Sequence, residues 1–205
     1  MIVTADFVVS LDGYLAGPGI APDNPGGDGA EAIFAWLHDC ASWRERQGLE
    51  GGVEGPDSEI VREWFDGTGA VVMGRTMYEL GAEFWGEDPP FRTPVFVLTN
   101  RPQETLVKKG GTSFVFVTDG IHSALDRAKA AAGGRDVDIA GGADTVRQYL
   151  AAGLIDELQL HVVPVLLGGG LRIFDGLGAV KGPLEKVRVV DTPLATHVKY
   201  RFTKG

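Results

Sequence analysis

Short apolar runs alternate with amphipathic segments along most of the chain. Apolar runs of strand length predict strands at residues 2–9, 70–73, 95–99, 113–118 and 136–140. Apolar spacing typical of helices predicts helices at residues 30–43, 57–65, 76–80, 122–132 and 145–152. Because buried strands joined by helices are typical of parallel sheets covered on both faces, the pattern predicts an α/β fold with three layers, αβα, around a mostly parallel mixed sheet.

The last part of the chain has a different pattern. Strand-like segments follow one another at residues 158–165, 186–190 and 196–202. In the last segment, polar and apolar residues alternate strictly, which is typical of a half-buried strand. We therefore expect an antiparallel strand at the C-terminal edge of the sheet.

Two loops rich in glycine occupy residues 17–29 and 48–55. Connections of this length inside a compact domain are commonly functional lids or mobile segments. The second loop leads into the helix predicted from residue 57, where Asp57 or Ser58 is placed to cap the helix.

Composition and charge narrow the class of protein. The chain has 205 residues, 44% of them hydrophobic, and we expect one domain over residues 1–205. A formal net charge of −9 argues against nucleic acid or an anionic membrane as partner, since both require clustered Lys and Arg. The single cysteine, Cys40, excludes an internal disulfide and is typical of a reducing compartment. Without a basic leader segment or an apolar run of membrane length, a cytoplasmic protein is expected.

Two predicted strands end in glycine and turn directly into a helix. The first turn lies in Val71–Thr76 and the second in Ile139–Thr145. Such a turn exposes the amides of a helix N-terminus, which bind phosphate, although glycine also lets a strand pack close to the following helix. Two such turns in a small domain, with Arg75 in the first, indicate one extended ligand such as a dinucleotide.

Several motifs in a fixed order carry a family resemblance. They are Ser10–Gly17, Val72–Glu79, Val97–Pro102, the Gly141-Gly142 pair and Val163–Gly170. Together they resemble the dihydrofolate reductase-like family, which includes the C-terminal reductase domain of the riboflavin-biosynthesis deaminase/reductase. The resemblance extends from residue 1 to about residue 202. It implies NADPH as the hydride donor, a dihydrofolate reductase-like fold and a homodimer. The zinc-ligand pattern of a deaminase domain is missing, so the bifunctional enzyme itself is not expected.

The first turn is the predicted pyrophosphate site. Gly74 lets the backbone approach the ligand, Arg75 adds a charge-assisted hydrogen bond, and Thr76 and Met77 open the helix. The alternative is a close-packed turn with a surface arginine. By resemblance, Thr99, Asn100 and Arg101 lie at the adenosine ribose, where an arginine favours a 2′-phosphate and hence NADPH over NADH. Arg101 could instead be a solvated loop residue.

The second turn completes the predicted cofactor site. In the resembling reductases this Gly141-Gly142 pair forms a tight, sometimes cis, turn under the cofactor, and Ala143, Asp144 and Thr145 start a helix that points at the phosphates. Because an inward carboxylate would repel phosphate, we assign the side chain of Asp144 to helix capping and the amides to binding. The resemblance also places the nicotinamide against the segment from Leu11 to Ala16.

The substrate is expected between that segment, the helix around Trp36 and the loop that follows residue 163. The loop residues assigned to the substrate are Pro164, Leu166, Leu167 and Gly168. Trp36 could stack on a flat heterocycle, or it could face the core with Ile33 and Leu37 at helical spacing.

The proton donor is not evident from the sequence. Folate reductases use a carboxylate on the first helix, but Ala35 stands at that position here, and the nearest acids are Glu31 and Asp39. Each of these could instead face solvent, or the proton could come from water. No metal is expected, since the four histidines lack metal-ligand spacing and no cysteine partner for zinc exists.

These observations predict an NADPH-dependent oxidoreductase that reduces a small heterocyclic or carbonyl compound. By analogy the substrate is pterin-like or aminopyrimidine-like, with an activity resembling 5-amino-6-(5-phosphoribosylamino)uracil reductase or dihydrofolate reductase. One alternative is a non-catalytic NADP(H)-binding sensor or partner module. A flavin- or quinone-type reductase is a second enzyme hypothesis, for which the sequence has no distinct signature.

Overall fold

The computed structural model describes residues 1–178 and 183–203. Its strands are β1 (Val3–Ser10), β2 (Tyr14–Ala16), β3 (Thr68–Gly74), β4 (Pro94–Leu98), β5 (Leu106–Val107), β6 (Ser113–Val117), β7 (Asp136–Gly141), β8 (Glu157–Val163), β9 (Leu171–Arg172), β10 (Leu184–Asp191) and β11 (Thr196–Phe202). Its α-helices are α1 (Ala30–Asp39), α2 (Ala41–Arg46), α3 (Pro56–Gly67), α4 (Arg75–Trp85), α5 (Gly120–Ala131) and α6 (Ala143–Ala151).

The described chain forms two compact units. The first holds residues 1–5, 67–156 and 176–178, and the second holds residues 6–66, 157–175 and 183–203. The single domain expected over residues 1–205 stays a prediction, and it includes residues 179–182 and 204–205, which lie outside the described residues.

The first unit is built on a mainly parallel sheet. Its strand order is β1-β7-β3-β4-β6-β5, where β1 contributes its first residues and β5 pairs antiparallel with β6. All seven residues of β3 are buried, as expected for a central strand covered on both faces. An apolar cluster that includes Met73, Tyr78 and Phe114 joins β3, α4, β4 and β6.

The second unit contains the antiparallel strands. Its order is β10-β11-β8-β1, where β1 contributes its later residues, and β11 pairs antiparallel with both β10 and β8. Ile33 and Leu37 of α1 pack in a buried cluster with Val8 and Val163. β2 and β9 form a separate two-stranded sheet.

The fold class expected from the sequence is confirmed. The protein has a three-layer α/β fold with a mostly parallel mixed sheet and antiparallel strands at the C-terminal edge.

Several local predictions were wrong. The helix predicted over residues 30–43 is two helices, because Cys40 takes an extended conformation and pairs with Val53. The helix predicted over residues 76–80 extends from residue 75 to residue 85.

The predicted cap of α3 is also wrong, since the helix begins at Pro56 and the side chains of Asp57 and Ser58 bond elsewhere. The Asp57 carboxylate accepts from His197, and the Ser58 hydroxyl accepts from the backbone N–H of Ser42. Both side chains therefore hold other segments of the second unit.

A buried tyrosine connects two helices of the first unit. The hydroxyl of Tyr149 on α6 donates to the carbonyl oxygen of Ile121 on α5 at 2.7 Å. The side chain is fully buried, and burial raises the pKa of its hydroxyl. The hydroxyl is therefore a neutral donor that satisfies a backbone acceptor.

We expect Tyr149→Phe to lower the free energy of unfolding by about 1 to 2 kcal/mol, because the Ile121 carbonyl loses its donor. Denaturant unfolding measures this change. The control is Tyr200→Phe, which removes a hydroxyl from a half-buried tyrosine of β11. An equal effect of the two substitutions would contradict the role assigned to the Tyr149 hydroxyl.

Candidate functional site

The two glycine turns lie side by side in the first unit. β3 and β7 are parallel neighbours, and Met73 stands opposite Gly141 in their register. A Cβ atom at Gly74 would clash with the hydroxyl of Thr145 and would lie 3.6 Å from the backbone nitrogen of Gly142. Gly74 is therefore required by the close approach of the two turns.

The second turn has the geometry that the resemblance implied. The peptide bond between Gly141 and Gly142 is cis, and Gly141 has a φ of 129°. A Cβ at Gly141 would lie 3.2 Å from the sulfur of Met77, so α4 packs closely on this turn. A Cβ at Gly142 would meet no atom within 4 Å, so open space lies in front of that residue.

Both helices begin without a side-chain cap. Gly74 is the N-cap of α4 and Gly142 is the N-cap of α6, and neither helix start has a side-chain cap hydrogen bond. The N–H groups of a first helical turn have no partner within the helix and carry a partial positive charge. The open space at Gly142 and the two uncapped N-termini fit a diphosphate group.

Two arginines meet at one carboxylate beside the first turn. Nε of Arg75 and Nη2 of Arg101 each donate to Oε1 of Glu79 at 2.9 Å. Nη1 of Arg75 also donates to the side-chain oxygen of Gln103 at 2.9 Å. The hydrogen bond from Arg75 is the main cause that lowers the pKa of Glu79. The cluster places two cations where the sequence predicts phosphate groups.

The strand register explains why these arginines meet. Leu98 at the end of β4 stands opposite Gly74 at the end of β3, so residues 99–101 lie next to the first turn. The backbone N–H of Arg101 donates to the hydroxyl of Thr99 at 3.0 Å, which bends the chain after the strand. Asn100 is exposed.

The side chains of α6 divide into a buried and an exposed set. Ala143 and Thr145 are buried, whereas the carboxylate of Asp144 is 92% exposed. The expected capping role of Asp144 is wrong, because its carboxylate accepts from Arg147 at 2.7 Å one turn later in the helix. On α4, Thr76 is exposed and Met77 is half-buried.

The carboxylate of Asp12, in the second unit, joins two segments. One is the segment predicted at the nicotinamide, and the other is the loop predicted at the substrate. Asp12 accepts from the hydroxyl of Ser10 at 2.6 Å and from the backbone N–H groups of Leu167 at 3.1 Å and Gly168 at 2.7 Å. The N–H of Leu11 donates to the carbonyl oxygen of Val165 at 2.8 Å. These hydrogen bonds lower the pKa of Asp12 to about 2.

The joined segments present apolar side chains. Leu11 and Leu166 are exposed, Pro164 is exposed and Leu167 is half-buried. Ala16 is buried and pairs with Leu171 in the β2–β9 sheet. The predicted residues of the two segments are thus held together by Asp12, which the sequence analysis included only within the Ser10–Gly17 motif.

Trp36 lies in the core of the second unit rather than on its surface. The residue is 4% exposed and packs with Ile33 and Leu37, which is the alternative that helical spacing left open. The candidate acids Glu31 and Asp39 are exposed on the same helix. Neither carboxylate is buried beside Trp36.

Four polar side chains that the sequence analysis did not select are joined beneath Trp36. Nε2 of His161 lies 2.5 Å from the carboxylate of Asp6, and Nε2 of His197 lies 2.7 Å from the carboxylate of Asp57. The two Nδ1 atoms lie 2.5 Å apart. The sequence signal that could have found this set was one histidine in each of two predicted strands, residues 158–165 and 196–202. His161 and His197 are direct partners in the β8–β11 register.

Comparison with known protein families identifies the family of this chain. A sequence profile of the RibD C-terminal domain matches residues 1–197. The chain belongs to the RibD C-terminal domain family. This membership supports a reductase-type function for this RibD-like domain. No helix within residues 1–178 and 183–203 is both long and apolar enough to cross a membrane.

Individual relatives share limited identity. The uncharacterized protein YyaP of Bacillus subtilis is 22% identical over 142 residues, which are 62% of this chain and 75% of that protein. The uncharacterized protein YwjB of the same organism is 27% identical over 124 residues, which are 60% of this chain and 68% of that protein.

Solved structures share the fold. A putative riboflavin biosynthesis protein from Shewanella matches with a TM-score of 0.65 and 23% identity over the whole of both chains. Dihydrofolate reductase from Enterococcus faecalis, complexed with NADP(H), matches with a TM-score of 0.56 and 15% identity over 99% of this RibD-like chain and 97% of that chain.

We expect Asp12→Ala to release the loop that follows β8, because the amides of Leu167 and Gly168 lose their acceptor. Hydrogen exchange of these two amides at neutral pH should accelerate about tenfold or more. The amide of Thr99, which donates to the Val117 carbonyl, serves as the internal control. Unchanged exchange at Leu167 and Gly168 would contradict the tether.

The contribution of the Asp12 carboxylate to the stability of this loop depends on pH. Because the pKa of Asp12 is lowered to about 2, the carboxylate stabilises the folded loop above its ordinary pKa of 3.8. In the wild type this contribution is lost as the pH falls through about 2.

Proposed function

We propose that this protein is an NADPH-dependent reductase of a small heterocyclic compound, pterin-like or aminopyrimidine-like, or of a carbonyl compound. The observation that supports this proposal most directly is the pair of adjacent helix N-termini at Gly74 and Gly142, neither of which has a side-chain cap. Family membership supports the reductase part of the proposal. The complex of the Enterococcus faecalis neighbour with NADP(H) supports the choice of cofactor.

The residues of the first unit are assigned to the phosphate groups of the cofactor. The amides at the starts of α4 and α6 bind the pyrophosphate, since each lacks a competing cap. Arg75 is assigned to the pyrophosphate and Arg101 to the 2′-phosphate, and Glu79 holds both guanidinium groups until a phosphate replaces its carboxylate. Thr99 and Asn100 are assigned to the ribose.

The residues of the second unit are assigned to the reacting groups. We place the nicotinamide, which supplies a hydride when bound, against Leu11 and Ala16, as the resemblance implies. Pro164, Leu166, Leu167 and Gly168 are the proposed substrate contacts, and Asp12 positions them. Trp36 supports this wall from the core, because Leu167 packs against its cluster.

The substrate class follows from analogy with named structures. A Thermotoga maritima protein described as a deaminase and 5-amino-6-(5-phosphoribosylamino)uracil reductase matches with a TM-score of 0.60 and 15% identity, and this chain spans 56% of it. A cytoplasmic homodimer is part of the proposal. The exposed positions of Glu31 and Asp39 favour a second candidate, a non-catalytic NADP(H)-binding module.

Continuous oxidation of NADPH, followed by absorbance, tests the proposed activity. The acceptors are dihydrofolate, 5-amino-6-(5-phosphoribosylamino)uracil and a panel of carbonyl compounds. Turnover with one acceptor supports the reductase. Tight NADPH binding without turnover would support the binding module, and absence of NADPH binding would overturn both.

We expect Arg75→Ala to weaken NADPH binding by about 1 to 3 kcal/mol, the range for a hydrogen bond to a charged group. Isothermal titration calorimetry measures the change. The control is Arg127→Ala, which removes an arginine that pairs with Asp119 elsewhere in the first unit. Equal affinity of wild type and Arg75→Ala for NADPH would contradict the assignment of Arg75 to the cofactor.

Arg101 is expected to determine the preference for NADPH over NADH. A guanidinium can bind a 2′-phosphate with paired hydrogen bonds, whereas NADH offers only a hydroxyl there. Arg101→Ala should therefore reduce the ratio of the two affinities by about tenfold, or about 1.4 kcal/mol, with little change for NADH. Equal losses for both cofactors, or a wild-type preference for NADH, would contradict the assignment.

A further inference from the structure

Glu79 lies between the two arginines beside the first turn. One of its oxygens, Oε1, accepts from Nε of Arg75 and from Nη2 of Arg101, each at 2.9 Å. The carboxylate is 44% exposed, so an incoming ligand can reach it. Two cations thus share one carboxylate oxygen at the edge of the predicted phosphate site.

The two arginines are held to different extents. The side chain of Arg75 is 22% exposed, and its guanidinium lies 5.5 Å from the ring centroid of Tyr78 and 5.3 Å from that of Phe116. The side chain of Arg101 is 64% exposed, and its guanidinium donates to Glu79. Arg75 is therefore a fixed cation, whereas Glu79 positions the guanidinium of Arg101.

Stabilisation of α4 does not account for the pair of Arg75 and Glu79. Arg75 is the first residue of α4, where the partial positive charge of the helix N-terminus disfavours a cation. The pair also runs from arginine to glutamate at i and i+4, which is the less favourable order on a helix. A cation at this end of a helix instead suits a bound anion.

The Glu79 side chain is an anion at neutral pH. The hydrogen bond from Arg75 is the main cause that lowers its pKa, and the charge of Arg101 lowers it further. Carboxylate and phosphate oxygens accept from the same donors of a guanidinium group. Glu79 therefore occupies donors that a phosphate group needs, and its negative charge repels that group.

We propose that Glu79 is an internal counter-anion, which the phosphate groups of the cofactor displace from Arg75 and Arg101. This inference rests on the proposed NADPH-dependent function. A 2′-phosphate carries about two negative charges and several acceptor oxygens, so it can replace one carboxylate oxygen at these arginines. Glu79 pairs with them again when the oxidised cofactor leaves, so it lowers the affinity for NADPH and speeds the release of NADP+.

Glu79→Gln tests the counter-anion. The amide oxygen can still accept from both arginines, but the negative charge is lost. At low salt we expect NADPH and 2′,5′-ADP to bind about fivefold or more tightly, and NADP+ to dissociate more slowly by a similar factor. NADH should gain less, because it has no 2′-phosphate for Arg101. Isothermal titration calorimetry measures the affinities, and stopped-flow fluorescence measures the dissociation rate.

The salt dependence separates this role from a structural one. The gain of Glu79→Gln should shrink as the salt concentration rises from about 0.05 M to about 1 M, because salt screens exposed charges. Glu83→Gln is the matched control, since Glu83 is exposed one turn further along α4. Its affinity for NADPH should equal that of the wild type. An equal gain in Glu83→Gln would contradict the specific role of Glu79.

Carboxylate 13C NMR follows the displacement in the wild-type protein. The signal of Glu79 should move when 2′,5′-ADP saturates the protein, because the carboxylate loses two donors. It should move less with 5′-AMP, which lacks the 2′-phosphate. An unchanged Glu79 signal at saturation would overturn the counter-anion, whether or not Glu79→Gln folds.

The outcomes distinguish this inference from the proposed function. If NADPH binds equally well to the wild type and to Glu79→Gln, with equal dissociation rates of NADP+, the counter-anion alone is overturned. If the wild type binds 2′,5′-ADP but not NADPH, the proposed function fails, and the affinities for 2′,5′-ADP still decide the role of Glu79. If neither ligand binds, both proposals are overturned.

Discussion

The close approach of two strand-to-helix turns is the constraint on which the first unit depends. Any side chain at Gly74 would meet Thr145, so only glycine lets β3 and β7 end side by side while α4 and α6 start together. This approach places the N-termini of α4 and α6, neither of which has a side-chain cap, next to each other. The β4 register then adds the cations of Arg75 and Arg101, and Glu79 holds them in the unliganded protein.

In the second unit, ionisable groups are buried beneath the aromatic side chain of Trp36. An isolated buried carboxylate or imidazolium is strongly unfavourable, but each of the four polar side chains joined beneath Trp36 has a partner. The same unit uses Asp12 near its surface to hold a backbone loop. Carboxylates therefore stabilise both the core and the loop that follows β8.

The features that the sequence predicted are local ones. The turns at Gly74 and Gly142 could be recognised because a buried strand, a glycine and a helix start follow one another within a few residues. The break between α1 and α2 at Cys40 could not be recognised, since it depends on the pairing of Cys40 with Val53 across a loop. The sequence left two roles open for Arg101 and assigned Asp144 to capping wrongly, because the partner of each side chain is set by the folded geometry.

The contacts among the four polar side chains beneath Trp36 could not be predicted for the same reason. His161 and Asp6 are 155 residues apart in sequence, and His197 and Asp57 are 140 residues apart. Only the β8–β11 register brings the two histidines opposite each other. Periodicity identified these strands but does not specify which residues of distant segments meet.

Backbone amide NMR during titration with NADPH tests the central claim, that the two helix N-termini bind the cofactor. The largest shifts are expected at residues 75–77 and 142–145, with saturation well below about 1 mM. Titration with 2′,5′-ADP, which carries the 2′-phosphate without the nicotinamide, should shift residues 99–101. Saturable NADPH binding that leaves both helix N-termini unshifted would contradict the account.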